Sequence, residues 1–268
     1  MTTRLSIART IVGNTRIDDY ARSLRLAKER GHRIGGVAAF HQSDKQGRRL
    51  ILRHDVDVPL IGVRPMLAVE TNLGVSATWY FRWCTDDEPL IREVADAGGE
   101  LGLHYETLAN VLVRRGITTR AGVTEAVLQE ARDELRREID RFRAQLGLTT
   151  LTIASHGHPR NQVVRVSNNV LATEQFCRDT GVLVEAYSPE LLRHVDCYLS
   201  DTNLLINSGW AYNVSLAQAI EAGHRRICFL SHPNHWYCTW RTKLVDLGKL
   251  ALRGVRHQER SFRPTYDS

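Results

Sequence analysis

Strand patterns and helix patterns alternate along this chain of 268 residues, and that alternation limits its fold more than any other feature. The strand patterns are short apolar runs rich in β-branched and aromatic residues, whereas the helix patterns repeat apolar residues every three or four positions. The clearest helix pattern runs from Leu128 to Leu146 and ends at Gly147. Such alternation predicts an α/β fold with parallel strands joined by crossovers, arranged as an open sheet or as a barrel.

The individual strands and helices can be assigned along most of the chain. The predicted strands are 49–57, 75–83, 100–104, 150–156, 182–186, a short segment near Tyr198, and 226–231. The predicted helices begin near Ile17, Arg64, Asp87, Leu128, Val170, Ser215 and Thr239. Asp87 is the expected cap of the third helix, with Pro89 in its first turn.

No repeat, low-complexity segment or linker divides the sequence, so we expect one catalytic domain over residues 1–268. Within it, we expect residues 1–48 to form an N-terminal helical extension and residues 254–268 to form a basic C-terminal tail. No run approaches the roughly 20 consecutive apolar residues of a membrane helix. The first residues also lack the pattern of a signal peptide. We therefore expect a cytoplasmic protein without a membrane span.

The net charge of +6 would favour acidic partners. Basic residues are nevertheless spread along the chain, apart from the stretch 253–263, and no basic run is interleaved with aromatic residues that could stack on bases. We therefore expect no nucleic-acid partner. A small anionic substrate, such as a nucleotide sugar, agrees equally well with the charge.

Unusual polar residues lie at the ends of the predicted strands. Asp55 and Asp57 end the first, His104 ends the third, the segment 156–158 ends the fourth, and His232 follows the last. In barrels and open sheets of parallel strands, the carboxyl ends of the strands carry the binding and catalytic groups. Four separate segments therefore predict one site.

The two aspartates are two positions apart, so on a strand they lie on the same face. Two such carboxylates repel each other unless a cation lies beside them or one keeps its proton. A metal bound by one, with the other acting as a base, would resolve the repulsion. The alternative is a strand-end turn in which the aspartates pair with Arg53 and cap the next segment, and the D-x-D pattern alone favours that alternative.

The histidines add the remaining ligands of a metal site. A lone histidine such as His104 is more often a hydrogen-bonded structural group, but His156 and His158 are spaced to lie on one side of the chain. One carboxylate and two imidazoles, with a position left open for water, are typical of catalytic zinc. His232 could be a general acid, and its alternative is to cap the following helix. Together, the four segments favour a functional site.

The order of these motifs resembles that of the polysaccharide deacetylases, carbohydrate esterase family four, particularly their cytoplasmic branch with a His-Gly-x-Pro motif. The resemblance covers residues 50–236 and rests on the segments 53–57, 74–81, 98–104, 155–159 and 228–233. It implies a distorted (β/α) barrel of about seven strands. It also implies a divalent metal, with Zn²⁺ first and Co²⁺, Mn²⁺ or Ni²⁺ as other choices.

The resemblance further implies a role for each residue that matches a motif. Asp55 would be the base and His232 the acid, with Asp201 orienting that histidine. The metal ligands would be Asp57, His104 and a third residue. The family supplies this third ligand four residues after the first histidine, where this chain has Leu108. We expect His156 in its place, rather than His158. The candidate substrate-binding residues are His158, Tyr105, Glu185 and Trp236.

The implied activity is hydrolysis of an N-acetyl group on an aminosugar-containing substrate, such as a nucleotide sugar, a glycan precursor or a sugar of a secondary metabolite. Another metal-dependent amidase, for example a cyclic amide hydrolase on the same scaffold, is an alternative. A sugar-binding relative that has lost catalysis is a second. Aromatic residues that could stack on a sugar ring, although many will pack in the core, are Trp79, Trp83, Tyr105, Trp210 and Trp236.

Overall fold

Parallel strands form the centre of the fold in the computed structural model, which describes residues 16–57, 60–83, 87–201 and 214–237. The order across the sheet is β5-β4-β3-β2-β7-β6, and β1 pairs with the first half of β2. The strands of the described residues are β1 (Arg33–Gly35), β2 (Arg49–Val56), β3 (Thr78–Phe81), β4 (Glu100–Tyr105), β5 (Thr152–Ser155), β6 (Cys197–Ser200) and β7 (Arg226–Ser231).

Helices connect these strands and cover the outside of the sheet. They are α1 (Ile17–Glu29), α2 (Val37–Gln42), α3 (Val63–Leu73), α4 (Glu88–Asp96), α5 (Thr107–Arg114), α6 (Glu125–Leu146), α7 (Pro159–Val164), α8 (Glu174–Thr180), α9 (Pro189–Leu192), α10 (Leu216–Glu221) and α11 (Pro233–Trp236). Short 3₁₀ turns occur at Leu60–Gly62, Arg120–Gly122 and Asn168–Leu171.

Strand β2 lies in the middle of the sheet and is buried on both faces. Leu50 and Leu52 pack in the larger apolar layer between sheet and helices, whereas Ile51 packs in a second cluster on the opposite face. Arg53 continues that second face, and its guanidinium lies 5.2 Å from the ring centre of Tyr80. Since side chains alternate along a strand, Asp55 projects to the same side as Arg53.

The second face is the interior of a barrel. The guanidinium of Arg53 also lies 4.3 Å from the ring centre of Tyr187. Tyr187 comes two residues after Glu185, which forms a bridge with Ile153 of β5 at one end of the sheet. The rings of Tyr187 and Tyr198 lie 6.4 Å apart, and Tyr198 is on β6 at the other end of the sheet. The sheet therefore curves until its two ends approach each other. The predicted distorted (β/α) barrel is confirmed.

Two predicted elements differ from the structure. Residues 182–186 are not a regular strand, although Glu185 forms a single bridge with Ile153. The Leu183 N–H also donates to the carbonyl of Leu151 at 2.8 Å. The helix predicted from Val170 is divided into a 3₁₀ turn and α8, because the Thr173 side chain caps a new helix by accepting from the Phe176 N–H at 3.2 Å.

The N-terminal segment is part of the sheet as well as helical. Strand β1 pairs with β2 from Arg33 to Gly35, so residues 16–48 are more than a helical extension. Residues 16–237 form one compact unit. The helix predicted from Thr239 and the basic tail at 254–268 lie outside the described residues. Among the helices that the structure describes, none has the length and apolar character needed to cross a membrane.

Candidate metal and proton-transfer site

Three of the predicted residues meet at the carboxyl ends of the strands. One ligand atom each from Asp57, His104 and His156 can be chosen so that all lie within 4.8 Å of one another. The Nε2 atom of His156 is 3.5 Å from an oxygen of Asp57. The sequence brings them together because β2, β4 and β5 end at the same edge, and the His156 N–H extends the β4–β5 pairing by donating to the Tyr105 carbonyl at 2.8 Å.

Both imidazoles are held through their Nδ1 atoms. Nδ1 of His104 lies 2.9 Å from the carbonyl oxygen of Ala154, and Nδ1 of His156 lies 3.0 Å from Oε2 of Glu106. Each Nδ1 therefore donates to its acceptor, and Nε2 is the ring nitrogen of each imidazole that a metal ion could use. Burial lowers the pKa of His104 to about 4, although the carboxylate of Asp55 acts in the opposite direction. His104 is therefore a neutral imidazole, the form that binds metals.

This donor set fits a divalent metal ion. One carboxylate and two oriented imidazoles suit Zn²⁺, Co²⁺, Ni²⁺ or Mn²⁺ and leave positions for water and substrate. His158 is engaged differently, because its Nδ1 accepts the Arg160 N–H at 3.0 Å and caps α7. The geometry therefore favours His156 over His158 beside Asp57.

Asp55 lies next to this group, at the inner end of the site. Nη2 of Arg53 donates to both carboxylate oxygens of Asp55 at 2.9 Å, and Nε donates to one of them at 3.2 Å. Burial would raise the pKa of Asp55, but the guanidinium of Arg53 lowers it below its usual value. The alternative in which both aspartates pair with Arg53 therefore holds for Asp55 only, since Asp57 lies 3.4 Å from Arg82 instead.

A histidine and a buried carboxylate form a second group at the end of β7. Nδ1 of His232 donates to Oδ1 of Asp201 at 2.7 Å, and the His232 N–H donates to Oδ2 at 2.8 Å. Burial would lower the pKa of His232, but Asp201 raises it to about 9, with smaller contributions from Asp55 and Asp57. The imidazole is therefore charged at neutral pH, as a general acid requires.

His235 shares the same carboxylate. Its Nδ1 lies 3.1 Å from the Asp201 carbonyl oxygen and 3.3 Å from Oδ1. Asp201, His232 and His235 are also close enough to hold a metal ion. Both imidazoles nevertheless turn Nδ1 towards acceptors at hydrogen-bond distance, which uses those atoms as proton donors. We therefore interpret the group as a set of hydrogen bonds.

Three of the expected substrate-binding residues are buried. Trp236, Tyr105 and Glu185 are exposed by 3%, 1% and 1%, respectively, so they offer no surface to a sugar, contrary to the expectation. Trp236 instead donates from Nε1 to Asp201 at 2.8 Å. Glu185 accepts the backbone N–H groups of Ser155 and Tyr187 and holds the end of the barrel. Trp79 is also fully buried, and Trp210 lies outside the described residues.

Sequence reasoning missed Glu106 and Arg82, which lie beside the predicted metal ligands. Arg82 donates from Nη2 to Oε1 of Glu106 at 2.7 Å. The hydrogen bond from His156 lowers the pKa of Glu106 to about 2, with Arg82 acting in the same direction. Both residues follow directly on the ends of β3 and β4, so their position at the strand ends was the available signal.

No family model and no curated protein matches the chain. Among solved structures, it is similar to a family 4 carbohydrate esterase pseudoenzyme from Bacillus anthracis, with 14% identity, a TM-score of 0.46, and 78% of this chain and 63% of that chain covered. A mutant of that pseudoenzyme with restored enzymatic activity has 13% identity, the same TM-score, and 78% and 65% covered. The chain thus spans less than two thirds of the length of both.

Two further solved structures are similar. A mutant of the peptidoglycan deacetylase PdaC from Bacillus subtilis has 9% identity and a TM-score of 0.44, with 79% of this chain and 87% of that chain covered. A family 4 carbohydrate esterase from Bacillus anthracis has 14% identity and a TM-score of 0.41, with 86% of each chain covered.

Proposed function

We propose that this chain is a metal-dependent hydrolase that removes an N-acetyl group from an aminosugar-containing substrate. The observation that carries the proposal is the meeting of two groups at one edge of the barrel. Asp57, His104 and His156 lie together beside Asp55. Strand β2 pairs with β7 up to His54 and Ser231, so His232 follows at the same edge of the barrel as Asp55.

Asp57, His104 and His156 would hold the metal ion. When bound, such an ion lowers the pKa of a coordinated water and polarises the carbonyl of the acetamide group. The chain contributes two oriented imidazoles and a carboxylate that lies 3.5 Å from one of them.

Asp55 would accept the proton of the attacking water. Arg53 holds its carboxylate in one orientation and keeps it charged, so it is ready to accept a proton at neutral pH. It projects from the same face of β2 as Arg53, towards the end of the strand where Asp57 follows. The new carbon–oxygen bond forms as the proton moves to Asp55.

His232 would donate a proton to the departing nitrogen. Asp201 holds Nδ1 of His232, so the opposite ring nitrogen, Nε2, is the one that transfers the proton. The carbon–nitrogen bond breaks as that proton arrives, and the products are acetate and a free amine. A charged acid and a charged base at neutral pH are the pairing that amide hydrolysis needs.

The substrate class rests on the resemblance of the motifs and on the charge of the chain. A net charge of +6 agrees with an anionic carrier, such as the diphosphate of a nucleotide sugar. We therefore propose N-acetylated nucleotide sugars and glycan precursors as the first substrates to test.

The test is mass spectrometry of a panel of N-acetylated nucleotide sugars and glycan precursors incubated with the protein and Zn²⁺ or Co²⁺. We expect one compound to lose an acetyl group, and we expect a chelator to abolish the reaction. Saccharide binding without turnover, in protein that carries its metal, would contradict the proposal and indicate a binding protein.

Metal analysis of His156→Ala and His158→Ala separates the two histidines. We expect the metal content to fall in the first variant and to stay at the level of the unmodified protein in the second. The opposite result would transfer the ligand role to His158.

A further inference from the structure

We infer that Glu106 is a positioning residue that sets the metal affinity of the site by orienting His156. This inference deepens the proposed function and rests on its metal site. Asp57, His104 and His156 would bind the metal, and Glu106 lies behind them. Asp55 and Arg82 also contact this group, and Glu106 contacts it at Nδ1 of His156.

Glu106 is close to His156 because of its place in the fold. It lies between the last residue of β4, Tyr105, and the first residue of α5, Thr107. The backbone N–H of His156 donates to the carbonyl of Tyr105, which fixes the two strand ends side by side. The side chain of Glu106 therefore needs to cross only from one strand end to the next to reach the imidazole.

Both carboxylate oxygens of Glu106 form hydrogen bonds. Oε2 lies 3.0 Å from Nδ1 of His156, and Oε1 accepts from Arg82 at 2.7 Å. Arg82 thus fixes the plane of the carboxylate, and the carboxylate fixes the plane of the imidazole. Nε2 of His156 then lies 3.5 Å from Asp57, which is close enough for both atoms to bind one ion.

His104 and His156 differ in the group that orients them. His104 is oriented by a backbone carbonyl, whereas His156 is oriented by a carboxylate. A carboxylate behind a ligating histidine fixes its tautomer and increases its basicity, and loss of such a partner typically costs about 10-fold to 100-fold in metal affinity. Glu106 would therefore strengthen His156 as a metal ligand.

The test measures the dissociation constants of Zn²⁺ and Co²⁺ by competition with a chromogenic chelator, without substrate. We expect Glu106→Gln to bind metal about 10-fold more weakly, and Glu106→Ala up to about 100-fold more weakly. The visible absorption of bound Co²⁺ should also change in both variants, because the geometry at His156 changes. Glu130→Gln is the control, since Glu130 forms ion pairs with Arg114 and Arg115 away from the site.

Unchanged affinity and an unchanged Co²⁺ spectrum in both variants would overturn the inference. Thermal unfolding of the metal-free variants checks that they fold, and Glu106→Gln serves if Glu106→Ala does not. Failure of the proposed function gives a different result. In that case the unmodified protein binds metal and deacetylates nothing, while the affinity still depends on Glu106.

Discussion

Asp201 is the residue that would keep the proposed acid, His232, in its charged form. It is fully buried, and its carboxylate accepts from His232 twice and from Trp236 once. Burial would raise its pKa, but His235 and His232 together lower it well below the usual range. The carboxylate therefore stays charged and keeps His232 protonated. The sequence could indicate this pair of residues only through the resemblance of its motifs.

The pH dependence of activity should follow the ionisation of His232 beside Asp201. The pKa of His232 is about 9, above its ordinary value of 6.5, so kcat/KM should fall as pH rises through about 9. Without the charge of Asp201, burial lowers the pKa of His232, so in Asp201→Asn the falling limb should move to lower pH. A limb at the same pH in the variant would exclude His232 as the acid.

The ion pair of His232 and Asp201 also makes folding stability depend on pH. Because the folded pKa of His232 is raised, its contribution is fully present below pH 6.5 and is lost as pH rises through about 9. We expect the free energy of unfolding to decline over this range, and to decline less in Asp201→Asn. Urea denaturation at several pH values, with both proteins, measures the difference.

Asp55→Asn should separate proton transfer from metal binding. Asparagine keeps an oxygen acceptor for Arg53 but accepts no proton, so turnover should fall about 10²-fold to 10⁴-fold. The metal content should remain, since Asp57 and the two histidines are untouched. Full activity in this variant would show that the base is another residue.

At the scale of elements, a buried hydrogen-bonded chain connects helix α1 to the two strands of the site. Tyr20 on α1 donates to Glu70 on α3 at 2.6 Å, and the same Glu70 oxygen lies 2.6 Å from Nε2 of His54. Nδ1 of His54 lies 2.6 Å from the hydroxyl of Ser231 on β7. His54 precedes Asp55 and Ser231 precedes His232, so this chain fixes β2 against β7 where their functional residues begin.

Glu70→Leu should test that connection. The substitution leaves the buried groups of Tyr20 and His54 without their acceptor, and each such loss costs about 1–3 kcal/mol. We expect the free energy of unfolding to fall by about 2–5 kcal/mol in urea denaturation. Glu29→Leu, at an exposed position of α1, should change it by less than about 0.5 kcal/mol. Equal effects of the two substitutions would mean that the hydrogen bonds of Glu70 add no stability.

The sequence predicted elements well where local signals agree. Helix α6 is long and periodic and ends at Gly147, where φ is 66°, and α4 begins with the predicted cap, since Asp87 accepts from the Leu90 N–H at 3.1 Å. Strand β1 and helix α2 were missed because each is too short to show a period. The partners of Asp201 and Glu106 could not be derived by spacing, since they lie 31 and 50 positions away in the chain.

At the scale of the whole molecule, the barrel and the site depend on close backbone approaches. A Cβ atom added at Gly62, in the turn before α3, would collide with the backbone of Pro233, which follows His232. At Gly35 on β1, an added Cβ would instead make an ordinary contact with Ala39 at 3.8 Å. Position 62 therefore connects the turn after β2 to the segment that follows His232, the proposed acid.

Gly62→Ala should move that segment. Backbone cannot yield as a flexible side chain does, so we expect a loss of about 1–3 kcal/mol in the free energy of unfolding. We also expect kcat to fall, because His232 shifts with its neighbour. Gly35→Ala is the control and should leave kcat unchanged. Equal kcat values in the two variants would show that the contact at Gly62 does not position the acid.

Arg53 and Asp55 form their pair within three consecutive residues of β2, whereas His232 and Asp201 form theirs across 31 positions. The pair that would orient the base is therefore formed within a single strand. The pair that would orient the acid depends on the segment that joins β6 to β7. Among proteins built in this way, a change in the length of that segment should alter the position of the histidine and leave the Arg-x-Asp pair in place.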